Sequence, residues 1–207
     1  MRKQNMNIGS AMAKKVVLLT MVFFSLSIVS AARAGGPEDG AAAYTKGDYA
    51  KAWSELKPLA ERGDPAAQWH LGVMSHDGRG TPQNYAEAVR WFRKAVAQGY
   101  AKAEFNLGVM YRRGLGVERD DAEAVRLYRM AAEQGYPDAQ YNIGVMCAQG
   151  QGVRQDLVEA HMWFSLVAAS GDPTAKKNME IIAARMTPSQ TCEGERLAKE
   201  WKAKRKD

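Results

Sequence analysis

Residues 99–120, GYAKAEFNLGVMYRRGLGVERD, decide the fold of this chain. The same pattern lies 36 residues earlier, at 63–84 as GDPAAQWHLGVMSHDGRGTPQN, and 36 residues later, at 135–156 as GYPDAQYNIGVMCAQGQGVRQD. The three copies align without a gap, and nine of the 36 columns are identical in all of them. An internal period of this length is typical of helical repeat proteins, in which each unit buries its apolar face against its neighbours.

Each copy has the start and stop signals of two helices. In the first copy, Asp64 and Pro65 supply an N-cap and a first-turn proline, and Gly78 stands where a left-handed residue would end the first helix. The second helix begins at Asn84, and Glu87 three residues later predicts a capping box. The corresponding residues are Gly114, Asp120 and Glu123 in the second copy and Gly150, Asp156 and Glu159 in the third. The sequence therefore predicts an all-α stack of helical hairpins.

Three glycines lie inside the predicted first helices: Gly72, Gly108 and Gly144. Glycine in a helix interior costs about 1 kcal/mol relative to alanine. Because all three copies have this residue at the same position, we expect the backbone of a neighbouring helix to pass close to it.

The repeats define the organisation of the chain. Residues 38–62 contain DYAKAW at 48–53, which aligns with NYAEAV at 84–89, and they predict a degenerate N-terminal hairpin. Residues 171–207 begin with GDPTA and predict a divergent hairpin that caps the open end of the stack. Between these two units, the complete copies are predicted at 63–98, 99–134 and 135–170.

Residues 1–34 are predicted to be a secretory signal peptide. A lysine pair precedes an apolar run over residues 16–29, and Ala-Arg-Ala at 32–34 matches an A-x-A pattern, which places cleavage after Ala34. The apolar run is shorter than the roughly twenty residues of a transmembrane helix, although an uncleaved N-terminal anchor is the alternative. We therefore expect a periplasmic or secreted protein with no transmembrane span after cleavage.

The positive charge of the chain is concentrated in this leader. The formal net charge is +6, but residues 1–34 contain five basic and no acidic residues, which leaves 24 basic against 23 acidic residues in the remainder. A nearly neutral remainder gives no electrostatic argument for nucleic-acid binding, and no nucleic-acid partner is expected.

The chain has two cysteines, Cys147 and Cys192. An oxidising compartment permits one disulfide between them, and two free thiols are the alternative. The sequence leaves this choice open, because it does not give the separation of the two Cα atoms.

The stretch from Ala103 to Asp120 resembles the Sel1-like repeat, a relative of the tetratricopeptide repeat. The shared pattern is Ala-x-x-x-Leu-Gly-x-Met-Tyr-x-x-Gly-x-Gly-Val-x-x-Asp. The resemblance extends over about residues 38–205. It implies a right-handed α/α superhelix with a concave face formed by the first helices, and a role as an adaptor between proteins. Exported relatives include regulators of envelope sensor kinases, and some relatives have been proposed to bind or hydrolyse penicillin-like compounds.

An aromatic residue recurs at one position of the first helices, as Trp69, Phe105 and Tyr141. By analogy with tetratricopeptide grooves, this column would line the concave face and anchor an extended or helical peptide. The alternative is that the rings pack between successive repeats as part of the core. The candidate groove consists of the three aromatic residues together with Val73, His76, Val109, Arg112 and Val145.

The sequence predicts no catalytic residue, no metal and no cofactor. It contains no zinc-protease, phosphate-loop or nucleophile-elbow motif. His70 and His76 lie six residues apart on one predicted helix and so do not share a face. We expect an exported adaptor, monomeric or weakly self-associating, that binds a protein or peptide. The alternatives are a cell-wall or β-lactam ligand binder with at most weak hydrolase activity, and an envelope protein that self-associates through the solenoid ends.

Overall fold

The computed structural model describes residues 37–205, and that range contains ten α-helices and no β-strand. The predicted all-α solenoid is confirmed. The predicted signal peptide and its cleavage site after Ala34 lie outside the described residues. The helices in chain order are α1 (Pro37–Thr45), α2 (Tyr49–Glu61), α3 (Pro65–Asp77), α4 (Tyr85–Val96), α5 (Ala101–Arg113), α6 (Asp121–Glu133), α7 (Pro137–Gln149), α8 (Leu157–Ala168), α9 (Pro173–Ala183) and α10 (Pro188–Lys204).

Each helix from α1 to α8 packs against the next one along the chain. The hairpins α3–α4, α5–α6 and α7–α8 correspond to the three copies of the sequence pattern, and α1–α2 precede them. We call α3, α5 and α7 the first helices, and α4, α6 and α8 the second helices. The apolar side chains of the hairpins form buried clusters that follow the chain from one hairpin to the next.

The C-terminal helix departs from this order, because α10 packs against α8 rather than against α9. The indole rings of Trp163 and Trp201 meet edge to face with a centroid separation of 6.2 Å. Gly194 lies over His161, and a Cβ atom there would stand only 2.8 Å from the imidazole Nδ1. Helices α9 and α10 thus both cover α8 instead of forming another hairpin of the repeat type.

The second helices are capped at their N-termini, but the full capping box is absent from all three. The side chains of Asn84, Asp120 and Asp156 accept hydrogen bonds from backbone N–H groups three residues later at 2.9–3.0 Å. The reciprocal bond is missing because each capping residue donates its own backbone N–H to the preceding first helix. The acceptors are the carbonyl groups of Ser75, Tyr111 and Cys147. The predicted capping boxes are therefore wrong in their second half.

The mid-helix glycines make close contacts, and their nearest neighbours are aromatic rings. The predicted approach of a neighbouring backbone is seen at Gly108, where the carbonyl oxygen of Ala124 would lie 3.4 Å from a Cβ atom. A Cβ atom on Gly108 would lie 2.8 Å from Cε1 of Tyr128, and one on Gly144 would lie 3.0 Å from Cε1 of Phe164. At Gly72 the ring of Phe92 is closer still. Each of these rings belongs to the second helix of the same hairpin.

Backbone also passes close to a glycine in the loops between the two helices. A Cβ atom on Gly116 would lie 2.5 Å from the carbonyl carbon of Tyr85, at the start of the second helix in the preceding hairpin. Gly80 and Gly152 make the equivalent approach to Tyr49 and Asp121. These loop glycines also have positive φ angles, of 65–72°, which favour glycine.

A buried polar position recurs near the start of each first helix. Gln68 and Gln140 donate their amide groups to the carbonyl oxygens of Ala60 and Ala132, at 3.0 and 3.2 Å. The middle copy has Glu104 here, which is only 1% exposed and accepts a hydrogen bond of 2.8 Å from Gln134. Burial raises the pKa of Glu104, although the bond from Gln134 opposes the shift. An ionised carboxylate has no proton to donate to a backbone carbonyl.

We expect Glu104→Gln to stabilise the protein at neutral pH by about 1 kcal/mol, the net value of one hydrogen bond. The pKa of Glu104 is higher in the folded state than its ordinary value of 4.5, so its contribution to stability falls as the pH rises above that value. The advantage of the variant should therefore shrink in acid. Urea unfolding at neutral and acidic pH measures the difference in the free energy of unfolding between the variant and the wild type. Glu61→Gln, at an exposed position, is the charge-matched control. A gain that does not depend on pH would contradict this explanation.

Candidate functional site

The candidate groove residues lie on the surface of the first helices, which we call the first-helix face. All eight are half-buried, so each one packs against the protein and also keeps part of its side chain accessible. Partial burial alone does not choose between the groove and the core interpretation of the aromatic column.

The two outer aromatic residues bridge to the next helix of the column. Nε1 of Trp69 donates a hydrogen bond of 2.7 Å to Oδ1 of Asn106, and Nζ of Lys102 lies 4.9 Å from the indole centroid. The hydroxyl of Tyr141 accepts a hydrogen bond of 2.9 Å from Nδ2 of Asn178. The polar atom of each ring is thus bound within the protein.

Phe105 has no polar atom with which to make this bridge. Its ring packs against Tyr128 and Tyr136, with centroid separations of 5.6 and 5.2 Å. The asparagine that would accept the bridge, Asn142, instead accepts a hydrogen bond of 3.1 Å from Nη1 of Arg112. This rearrangement sets the middle position of the column apart from the other two.

A cavity of about 470 Å³ opens beside Phe105. It brings together three of the predicted groove residues, Phe105, Val109 and Arg112. The sequence interpretation missed the rest of the lining, although comparison of the copies contains a signal, since the middle copy has arginine where the other two have different residues. The additional lining residues are Arg113, Arg119, Tyr128, Asn142 and Gln151.

The remaining predicted residues lie elsewhere on the face. Val145 borders a second cavity of about 190 Å³, next to Ile181, whose side chain is 51% exposed. His76 is hydrogen-bonded to Asp77, with 2.7 Å between Nδ1 and Oδ1. Val73 packs against the apolar cluster shared by α4 and α5. The eight residues therefore do not line one continuous pocket.

Arginine side chains at the larger cavity lie close to two titratable groups, Asp121 and Tyr128. Hydrogen bonds from Arg119 lower the pKa of Asp121, which accepts from Nη2 and Nε at 2.7 and 3.2 Å. Burial raises the pKa of Tyr128 on the cavity floor, and the nearby guanidinium of Arg112 opposes that shift. The tyrosine is therefore a neutral hydroxyl at physiological pH.

The cysteines are unbonded in the structure: Cys147 is buried in α7, and Cys192 is exposed on α10. Burial raises the pKa of the Cys147 thiol to about 12, which keeps it protonated and unreactive as a nucleophile. Burial also lowers the pKa of the imidazoles of His70 and His161.

The recurring glutamates have structural partners. Glu87 and Glu159 accept hydrogen bonds from the indoles of Trp91 and Trp163, and Arg129 also binds Glu159 at 2.8 Å. Within residues 37–205, no cluster of three His, Cys, Asp or Glu side chains could hold a metal ion. No helix in that range has both the length and the apolar content needed to cross a membrane.

Comparison with known families identifies the repeats. The Sel1 repeat model matches residues 65–100, 101–136 and 137–172, which together make up just over half of the chain. The chain therefore belongs to the Sel1 repeat family. Proteins of this family are generally protein-interaction modules, and their fold is typically a non-enzymatic scaffold.

Three solved structures are similar to parts of this chain. A Sel1 repeat protein from Oxalobacter formigenes is 34% identical, with a TM-score of 0.68 over 70% of this chain and 60% of its own. A protective antigen of uropathogenic Escherichia coli with an SLR fold is 32% identical, over 73% of this chain and 41% of its own, with a TM-score of 0.39. Cysteine rich protein B of Helicobacter pylori is 21% identical, over 69% and 96%, with a TM-score of 0.47. A search of curated proteins finds no match.

We expect Phe105→Ala to cost about 2 kcal/mol of stability, less than the 3–5 kcal/mol typical of a fully buried ring, because part of the ring is accessible. Phe92→Ala is the matched comparison, since Phe92 is only 1% exposed. Urea unfolding of both variants gives the two values. Equal losses would show that Phe105 serves the core alone.

Proposed function

We propose that this protein is an adaptor that binds a protein or peptide partner along its first-helix face. The cavity of about 470 Å³ beside Phe105 is the observation on which the proposal depends. Its lining combines the apolar side chains of Phe105 and Val109 with polar side chains of arginine, asparagine and glutamine, as peptide-binding grooves do. The half-buried valines and aromatic rings extend this surface along the three first helices.

The position of the cavity supports binding rather than catalysis. Its side chains come from two first helices, one second helix and two loops, so the stacking of the repeats holds its shape. The arginine and asparagine side chains of the lining can donate hydrogen bonds, but a nucleophile activated by a neighbouring base requires a different set of residues. A partner bound here would contact two successive repeats at once.

The proposal includes export, which rests on the leader pattern of residues 1–34 alone. A lysine pair, a short apolar run and Ala-Arg-Ala at 32–34 direct a chain to the secretory pathway. The adaptor would then act in the periplasm or outside the cell.

A photo-crosslinking amino acid placed at Val73 or at Val109, in the native host, tests the proposal. Both positions should crosslink to the same protein, because they lie on the first helices of adjacent repeats. Arg90, exposed on the second helix α4, is the matched control and should give no such product. Mass spectrometry identifies the captured protein.

The intact mass of the recovered chain tests export in the same experiment, because cleavage after Ala34 removes 34 residues. Equal capture from Arg90, or capture from Arg90 alone, would rule out the first-helix face as the binding surface. A recovered chain that retains its leader would remove the export part of the proposal and leave the binding part in place.

A further inference from the structure

Three arginines border the larger cavity on the first-helix face. Arg112 and Arg113 form the end of α5, and Arg119 lies in the loop that follows. Among residues 37–205, the lining of this cavity includes no carboxylate side chain. Asp121 binds Arg119, whereas Arg112 and Arg113 form no ion pair with another of residues 37–205. The cavity lining therefore carries positive charge in excess.

The other two copies of the repeat have no such cluster. At the position of Arg112 they have His76 and Ala148, and at the position of Arg113 they have Asp77 and Gln149. The middle copy alone therefore places two adjacent cations at the end of its first helix.

Arg119 lacks a side-chain hydrogen bond that the other two copies make at the same position. The other copies have glutamine there, and Gln83 and Gln155 donate to the carbonyl groups of His76 and Ala148 at 2.9 and 2.8 Å. Those bonds satisfy carbonyl groups at the end of a helix. Arg119 turns to Asp121 instead. A local stabilising contact found in two copies is thus replaced in the third by a cation at the cavity.

One of the arginines is held in place by the protein. Oδ1 of Asn142 accepts a hydrogen bond from Nη1 of Arg112, and the hydroxyl of Tyr128 lies close to the same guanidinium. The apolar atoms of Phe105, Val109 and Tyr128 form the neighbouring wall. The cavity therefore offers a positioned cation beside an apolar surface.

We propose that this cavity binds a carboxylate of the partner, supplied by an acidic residue next to an apolar one in a peptide segment. A guanidinium matches a carboxylate through paired, charge-assisted hydrogen bonds, and the Arg119–Asp121 pair already has this geometry within the protein. The inference rests on the proposed function and adds the chemistry of the ligand.

The repeats themselves supply the test variant. Arg112→Ala, Arg113→Gln and Arg119→Gln together install the residues that the third copy has at these positions, so the variant should keep the fold. The control carries Lys57→Gln, Arg62→Gln and Arg90→Gln, which removes the same charge from exposed positions away from the cavity. Thermal melting compares the stability of the test variant and the control with that of the wild type. If the test variant is unstable, the single change Arg119→Gln replaces it.

The probe is a fluorescein-labelled peptide of alternating glutamate and leucine, compared with the same peptide containing glutamine for glutamate. Fluorescence anisotropy measures binding to the purified protein. We expect the wild type and the control to bind the glutamate peptide equally, and the triple variant to bind it at least about tenfold more weakly. Inorganic phosphate and acetate are added as competitors.

Each other result overturns the carboxylate site. Equal binding of the triple variant and the wild type would exclude the arginines, and failure of the wild type to bind the glutamate peptide would exclude the ligand. Displacement by phosphate far below the effective concentration of acetate would indicate a phosphate site. Equal binding of both peptides would mean that apolar contacts alone are used, in which case the proposed function survives and this inference fails.

Discussion

The contact between a glycine of the first helix and an aromatic ring of the second determines the shape of every repeat. At Gly108 and Tyr128 the ring lies so close that even a methyl group on the glycine would be 2.8 Å from it. Glycine costs about 1 kcal/mol in a helix interior. Burial of an aromatic ring against that glycine more than offsets this cost. This contact therefore determines how closely the two helices of a hairpin pack against each other.

A second set of glycines governs the distance between hairpins. In the loops, Gly80, Gly116 and Gly152 let the chain lie directly on the start of the second helix in the preceding hairpin. One glycine thus positions the helices within a repeat and another positions successive repeats. Both contacts recur with the sequence period, and hydrogen bonds such as that of Trp69 with Asn106 join successive first helices. The cavity occurs on the first-helix face where the pattern of side chains changes.

Sequence periodicity predicted the helices and their ends well, since caps, left-handed glycines and apolar spacing are local signals. It could not predict which group approaches Gly108, because ring and backbone both require a small residue. The capping box at Asn84 was also half wrong, since a backbone carbonyl of the preceding helix competes for the same N–H. The packing of α10 on α8 depends on contacts such as Trp163 with Trp201, which are remote in sequence.

The candidate site was likewise predicted only in part from the sequence. The aromatic column was found from its recurrence. The cavity lies beside Phe105, which cannot make a hydrogen bond like those of Trp69 and Tyr141 with asparagine side chains. Arg113 and Arg119 were not among the predicted residues, and the lining of the cavity identified them. In this chain, glycines common to all three copies make the packing contacts, and the cavity lies where the middle copy differs from the other two.

The glycine–ring contact is tested most directly by a double-mutant cycle that combines Gly108→Ala with Tyr128→Val, measured by urea unfolding. In the wild type, Gly108→Ala should destabilise the protein by about 1–3 kcal/mol, because the added methyl group collides with the ring. With valine at position 128, which has no atoms beyond Cγ, the same change should become neutral or stabilise the helix by up to about 1 kcal/mol. An equal loss of stability in both backgrounds would contradict the account.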